Sequence, residues 1–387
     1  RQEKAVIYIE PTQLDGYEPN TTVAYVNGKA VDIESTYFGA LKIEVSGLEV
    51  GSVVEFAIPA GYHCLGDFAN KDRKDLYDAK ELKCMSMAML EFVSKSPLYD
   101  YATAVYVDIK SVDKNALKYI IARSQDKFFC SLFAFCRLLQ SIPEGLFAGV
   151  SGSASSLFAD TFRGCSSLTT LPKGLFAGVR GSAIFMFHNT FLGCSSLSSL
   201  PDDLFAGVSG SARAMFQSTF YGCSSLTTLP DGLFAGVSGS ASSLFAATFS
   251  DCTSLSSLPD GLFAGVSGSA DSMFNGTFCR CISLSSLPEG LFAGVSGICR
   301  LTFLGTFERC TSLISLPEHL FGDISKDSIF AFNETFNGCV SLTGTTPKVQ
   351  GKRLWEVFFE HKGIGYGCFK DCTKLSDYNE IPDKWKS

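Results

Sequence analysis

The chain is short of the groups that catalysts use. It holds four histidines in 387 residues: His63, His188, His319 and His361. A nucleophilic Ser or Cys ordinarily works beside a positioned base, most often His, so this shortage argues against a hydrolase. His63 adjoins Cys64, but neighbours on a strand point to opposite faces and do not form a dyad. His188 falls on a variable face and His319 in a turn after Pro317. Basic charge is also in short supply. Lys and Arg number 32 against 39 Asp and Glu, a net charge of −7 that excludes the basic stripe of a nucleic-acid or anionic-membrane surface. No apolar run approaches the ~20 residues that span a bilayer. There is no CxxC pair, and neither Cys279 with Cys281 nor Cys368 with Cys372 has nearby His partners, which excludes a zinc site. Asp67, Asp72, Asp75 and Asp78 lack the glycine turn and closing Glu of a calcium loop. The GSA segments lack the GK[ST] ending of a phosphate loop. The expectation is a protein with no catalytic residues, no cofactor and no metal.

What is present in abundance is repetition. Leu146, Leu175, Leu204, Leu233, Leu262, Leu291 and Leu320 each head a copy of LFAGV or a variant, 29 residues apart. A cysteine column keeps the same step, from Cys136 and Cys165 through Cys310 to Cys339. A fixed period of this length marks a solenoid, whose units cannot bury their apolar faces alone and stack on their neighbours. Apolar residues make up 46% of the chain, and 34 of them are Phe, so Phe joins Leu in filling the interior. Fifteen cysteines would usually suggest a disulfide framework. Here most share one repeated apolar position, where parallel side chains point the same way. They read as a buried, reduced column.

One coil, residues 153–176, shows the design. Leu157, Phe158, Thr161, Phe162 and Cys165 fall at i, i+1, i+4, i+5 and i+8, which predicts one apolar face of a short helix capped by Ser153 and stopped by Gly164. Leu168 and Leu171 point inward around Thr169 and Thr170, a very short strand ended by Pro172. A second helical turn follows at Leu175, Phe176 and Val179. Strand, turn, helix and return predict an α/β solenoid: 29-residue coils with short parallel strands inside and helices on the convex side.

The run TFxGCxSLxxLPxGLF resembles a leucine-rich repeat. It is most similar to the BspA-like class of bacterial surface proteins, whose kernel AFxxCxxLxxI is matched by Phe162, Cys165, Leu168 and Leu171 and by their equivalents in the other full copies. The resemblance covers about residues 133–382. The period here is longer, through an inserted GSASS segment. The resemblance implies a leucine-rich-repeat solenoid and an extracellular or surface-anchored protein of adhesion or host-interaction type.

Residues 1–110 are different material. Five stretches, at 6–9, 22–26, 30–33, 41–45 and 53–58, alternate like strands, and Asn27-Gly28 is a type I′ hairpin signal. They predict a small all-β, immunoglobulin-like sandwich ending near 110, with 85–92 and 102–109 as further strands. The alternative is that residues 64–110 already cap the solenoid. Residues 111–124 predict a covering helix at the head of the 111–387 solenoid. Trp355 and Trp385 read as parts of a C-terminal cap. Because the sequence starts at Arg1 and not Met, a removed signal segment is expected, including one that would have left a lipid anchor.

Two surfaces compete for a binding role. One is a hydroxyl stripe on the strands, from Thr169 and Thr170 through Ser198, Ser199, Thr227 and Thr228 to Ser285 and Ser286. The other is the variable helix face, where Ile184, Phe185, His188, Leu192, Arg213, Gln217 and Tyr221 are the candidate ligand-binding residues. The expected partner is a host or matrix protein, or in the alternative a glycan captured beside surface polysaccharide-degrading enzymes. No nucleic-acid partner is expected.

Overall fold

The structure, a computed structural model, describes residues 129–147, 150, 152–359 and 363–387 in full, and the backbone of nine short strands between residues 4 and 112. From residue 129 onward the chain is a solenoid, and the cause is visible in its side-chain columns. Phe158, Phe187, Phe216 and Phe245 stack face to face at centroid distances of 5.5–5.7 Å. Phe162, Phe191, Phe220 and Phe249 form a second stack at 5.5 Å. A third, Phe176–Phe205–Phe234, lies across both, tilted by 51–64°. Offset and tilted rings at these separations are favoured beyond the area they bury. Leu168, Leu175, Val179 and their equivalents fill the space between, all fully buried. The core therefore runs without a break along the stack.

The convex helices are not there. Residues 154–165 form a chain of β-turns, and among the described residues helices occur only near the C-terminus. Leu157, Ala159, Thr161, Arg163 and Cys165 each donate to the carbonyl three residues back, at 3.1–3.3 Å. The residues between them, Ser156, Phe158, Asp160, Phe162 and Gly164, donate instead to Ile184, Met186, His188, Thr190 and Leu192 of the next coil, at 2.6–2.9 Å. An α-helix keeps all these bonds within itself, to the residue four back. Here half of them join coil to coil. Every fourth residue is left-handed, as at Ser156 (φ 55°), Asp160 (φ 55°) and Gly164 (φ 71°), a conformation that no right-handed helix contains. Gly164 is accordingly no helix stop and Ser153 no helix cap.

The strand part of the expectation is present in minimal form. Thr169, Ser198, Thr227, Ser256 and Ser285 each donate one N–H to the coil before, and further parallel bridges join Gly152 to Val179 and Gly181 to Val208.

The cysteine column is buried and unpaired, and all thirteen cysteines among the described residues are free thiols. Its function is specific. Cys194 Sγ donates to Phe162 O at 3.2 Å, and Cys223 to Phe191 O at 3.3 Å. A fully buried threonine column four residues earlier does the same: Thr190 Oγ1 donates to Phe158 O at 2.9 Å, and Thr219 to Phe187 O at 2.8 Å. The turns direct these Phe carbonyls into the core, where each already accepts one backbone N–H. Thr and Cys supply the second donor, so polar backbone is buried with its hydrogen bonds made. Burial also holds the column thiols protonated, raising the pKa of Cys223, Cys281 and Cys310 well above the ordinary value.

At the C-terminal end the coils are closed by an irregular cap. A hairpin of β10 (Lys348–Val349) and β11 (Lys352–Arg353) leads into α1 (Leu354–Val357), and α2 (Asp383–Lys386) ends the chain. Trp385 is fully buried, 6.3 Å from Phe369, and its carbonyl accepts the Phe369 N–H. Trp355 is 8% exposed, so both tryptophans do close the core. Asp377 is buried too, paired with Arg353 at 3.4 Å and bonded to the Thr346 N–H and hydroxyl.

In the N-terminal region the backbone strands are β1 (Lys4–Pro11), β2 (Val23–Val26), β3 (Lys29–Val31), β4 (Ile33–Ser35), β5 (Leu41–Ser46), β6 (Val54–Ala57) and β7 (Tyr62–Cys64). They make two antiparallel sheets, ordered β4-β5-β1-β7 and β3-β2-β6. The register pairs Val26 with Lys29 across the expected hairpin, and the stretch expected as one strand at 30–33 divides between β3 and β4. His63 lies on β7 opposite Glu10. A further pair, β8 (Glu81–Leu82) with β9 (Ser111–Val112), is parallel. The expected strands at 85–92 and 102–109, the acidic stretch 67–78 and the remainder of the expected 111–124 helix lie outside the described residues, as does His361.

Candidate binding surfaces

Each coil offers two outward stretches. The first follows the cysteine and is hydroxyl-rich, as expected. Thr169 and Thr170, Ser198 and Ser199, Thr227 and Thr228 are exposed. The first of each pair bonds to the coil before, Ser198 Oγ to Thr169 O at 3.3 Å and Ser256 Oγ to Thr227 O at 3.3 Å. The second, at Thr170, Ser199, Thr228 and Ser257, makes no side-chain bond among the described residues and is left to solvent. Half of the stripe is thus structural.

The second surface is the outside of the turn chain. Its sequence candidates separate into two groups. Phe185, His188 and Arg213 meet: the Phe185 and His188 rings are T-shaped at 5.4 Å, and the Arg213 guanidinium carbon lies 5.8 Å over the Phe185 ring. Ile184 is 45% exposed beside them in the chain. Burial lowers the His188 pKa, partly offset by the Asp160 carboxylate, so this histidine is more buried than a surface position implies. Leu192 and Tyr221 occupy another column, two residues before the cysteine. The Tyr221 hydroxyl bonds Asp251, which raises its pKa, and Asp251 pairs with Arg280 at 3.7 Å. Gln217 belongs to neither group. It lines a hollow that the candidates did not include.

That hollow is a groove of about 370 Å³ on the turn face, running from the coil of Gln217 to that of Glu334. Its floor is Ala246, Ala247, Gly276 and Gly305; Asn275, Cys279 and Glu308 stand along it. The floor exists because one column, Asn189 and Ser218 in earlier coils, shrinks to Ala247, Gly276 and Gly305, while the column beside it drops to Ala246 between Gln217 and Asn275 and continues to Leu304, which also lines the hollow. This run of small residues was the sequence signal for it. A second hollow of about 380 Å³ lies at Arg180 and Asp203. There the guanidinium is committed to the Ala177 and Val179 carbonyls, and one Asp203 oxygen to the Gly174 N–H at 3.0 Å. Among the described residues no group of three His, Cys, Asp or Glu side chains is placed to hold a metal ion, and no helix is long and apolar enough to cross a membrane.

No family model matches the chain, and no curated protein matches it. Among solved structures it is similar to a leucine rich cell surface protein from Faecalibacterium prausnitzii A2-165. The two are 16% identical, over 69% of this chain and 82% of that one, with a TM-score of 0.22. At that score the likeness carries no weight for geometry. The solenoid rests on the columns described above.

Proposed function

We propose that this is a non-catalytic binding protein of the cell surface or of the secreted fraction. In this reading its solenoid is of leucine-rich-repeat, BspA-like type and presents a protein- or matrix-binding surface. The observation that carries the proposal is the contrast between columns. Phe, Thr and Cys repeat almost unchanged inside, while one outward column runs Ser155, Ile184, Arg213, Ser242, Asp271, Arg300, Ile329. A fixed frame with diversified outer positions is what recognition by a repeat scaffold needs. An immunoglobulin-like domain over residues 1–110, in front of a 111–387 solenoid, fits the two antiparallel sheets of the N-terminal region. The parallel β8–β9 pair, 30 residues apart, favours the alternative that the later part of this region belongs to the solenoid's cap. A surface location is the reading that the resemblance to bacterial surface repeats supports.

The second reading, glycan capture, draws on the uncharged hydroxyl face, which would meet a repeating polymer with avidity. The test is binding of the full chain to arrays of matrix proteins and glycans. Phe185→Ser and Tyr221→Ser should abolish capture of a protein ligand, and Thr170→Val with Thr228→Val should leave it intact. The reverse pattern would establish the glycan reading. Silence on every array would remove both.

A further inference from the structure

The groove on the turn face gathers polar groups whose counterparts on several other coils are committed to the frame, although His188 Nδ1, in the column of Gln217, also has no partner among the described residues. Asn189 Nδ2 donates to Asp160 Oδ1 at 3.1 Å, and Asn333 Oδ1 accepts the Tyr366 N–H at 3.1 Å. Arg163 pairs with Asp160 at 3.2 Å. In the groove, the amides of Gln217 and Asn275, which occupy the same column as Asn333, make no hydrogen bond among the described residues. Glu334 makes no ion pair there either. Glu308 gives one oxygen to Arg309 at 3.5 Å, and its other oxygen has only a thiol contact, Cys279 Sγ at 3.9 Å. Cys279 itself stays protonated, since burial, followed by Glu308 and Asp251, pushes its pKa up to about 11.

The groove therefore combines two free amides, the Glu334 carboxylate, the Glu308 oxygen that Arg309 does not take, and a floor of small residues beside Leu304. We infer that it binds an extended peptide segment carrying Lys or Arg. The chemistry selects this occupant in three ways. Side-chain amides present both a donor and an acceptor, which match the N–H and C=O of a peptide. Glu334, which has no ion pair among the described residues, and the remaining Glu308 oxygen favour positive side chains. No aromatic ring lines the floor to serve as a platform for a sugar face. Spacing agrees. Gln217 and Asn275 stand two coils apart, roughly 10 Å at the ~4.8 Å separation of hydrogen-bonded neighbours, which is about three residues of extended chain. This inference rests on the reading of the protein as a surface binder and names the face and the partner's chemistry.

The experiment uses the full chain and the peptide (Lys-Gly)4 as probe, with (Glu-Gly)4 and a chito-oligosaccharide as comparisons, by calorimetry at physiological salt. Two variants separate the groove from the chain's general acidity. Ala246→Gln with Ala247→Asn fills the floor without changing charge. It uses residue types that the same columns already hold at Gln217 and Asn189, and Asn189 shares the left-handed backbone of Ala247 (φ 54° and 52°), so folding should be retained. Glu308→Gln with Glu334→Gln removes the charge and keeps the shape. Saturable binding of (Lys-Gly)4, weakened about tenfold by either pair, or about 1.4 kcal/mol, is the expected result. Equal binding by the filled variant would mean that the peptide is held by diffuse charge elsewhere, and the inference fails. Binding of the oligosaccharide, lost on filling, would overturn the peptide class in favour of a glycan. No binding of any probe to a chain that still captures a matrix protein would sink this inference and leave the proposed function standing.

Discussion

Threonine appears on both outward and inward stretches of the same coil, and the two do different things. Thr190 is fully buried and donates to the Phe158 carbonyl at 2.9 Å. Thr227 is exposed and donates to the Ser198 carbonyl at 3.5 Å. Residue type and i−29 or i−32 reach are nearly alike. The difference is water. An exposed carbonyl that loses its partner is solvated at once, and a buried one is left short of a bond. The inner columns are therefore held to Thr and Cys, while the outer position varies through Thr169, Ser198, Thr227, Ser256 and Ser285 to Ile314.

This contrast is sharpest at alkaline pH. Burial raises the pKa of the column thiols, and at the end of the column that of Cys372 rises from 9.0 to about 12. Between those values the unfolded chain releases a proton that the folded chain keeps, so stability is full below pH 9 and falls as pH rises through this window. Each such thiol contributes a slope of up to about 1.4 kcal/mol per pH unit. Denaturant titrations at pH 8 to 11 should show the loss, and Cys223→Ala should shallow the slope by about one proton. An unchanged slope would mean that the column is not sealed from water.

A smaller effect separates the two threonine sites directly. Thr190→Val should destabilise by about 1–2 kcal/mol through the under-bonded Phe158 carbonyl. Ser218 tests the turn chain. Its φ of 54° is the left-handed state that glycine adopts in the same column at Gly276 and Gly305. Ser218→Gly should therefore be neutral to stabilising, by about 0.5 kcal/mol, where glycine inside a helix would cost about 1 kcal/mol. Thermal melts distinguish the two signs, and a loss of stability would restore the helix. Smallest of all, Thr227→Val should shift stability by less than about 0.5 kcal/mol. A cost there equal to that of Thr190→Val would erase the distinction between the faces.

Much of the architecture was legible from the 29-residue step alone. Repetition of Leu146 through Leu320 and of Cys136 through Cys339 requires stacking, and stacking requires that Phe, Thr and Cys meet their own copies. That was enough to predict a buried, unpaired cysteine column; the tryptophans of the cap were read from the break in the step, 33 residues between Cys339 and Cys372. The turn chain was not legible. Leu157, Phe158, Thr161, Phe162 and Cys165 repeat every four residues, which over three turns is hard to tell from the 3.6-residue period of a helix. The hydrogen bonds decide between them, and half of those go to another coil, a choice made only once two coils lie side by side.

The sites divide the same way. Phe185, His188 and Arg213 were picked as variable outward residues, and their mutual packing follows from columns set by the repeat. The groove beside them needed the tertiary structure, because Ala246, Gly276 and Gly305 are unremarkable one at a time and leave a hollow only when adjacent coils bring them together. The sequence by itself determined what is inside, since a residue repeated at every step faces its own copy and burial is fixed by type. Only the tertiary structure decided which carbonyls turn inward, which N–H groups cross between coils and where the outer surface is concave. Those depend on neighbours 29 residues away that no local pattern contains.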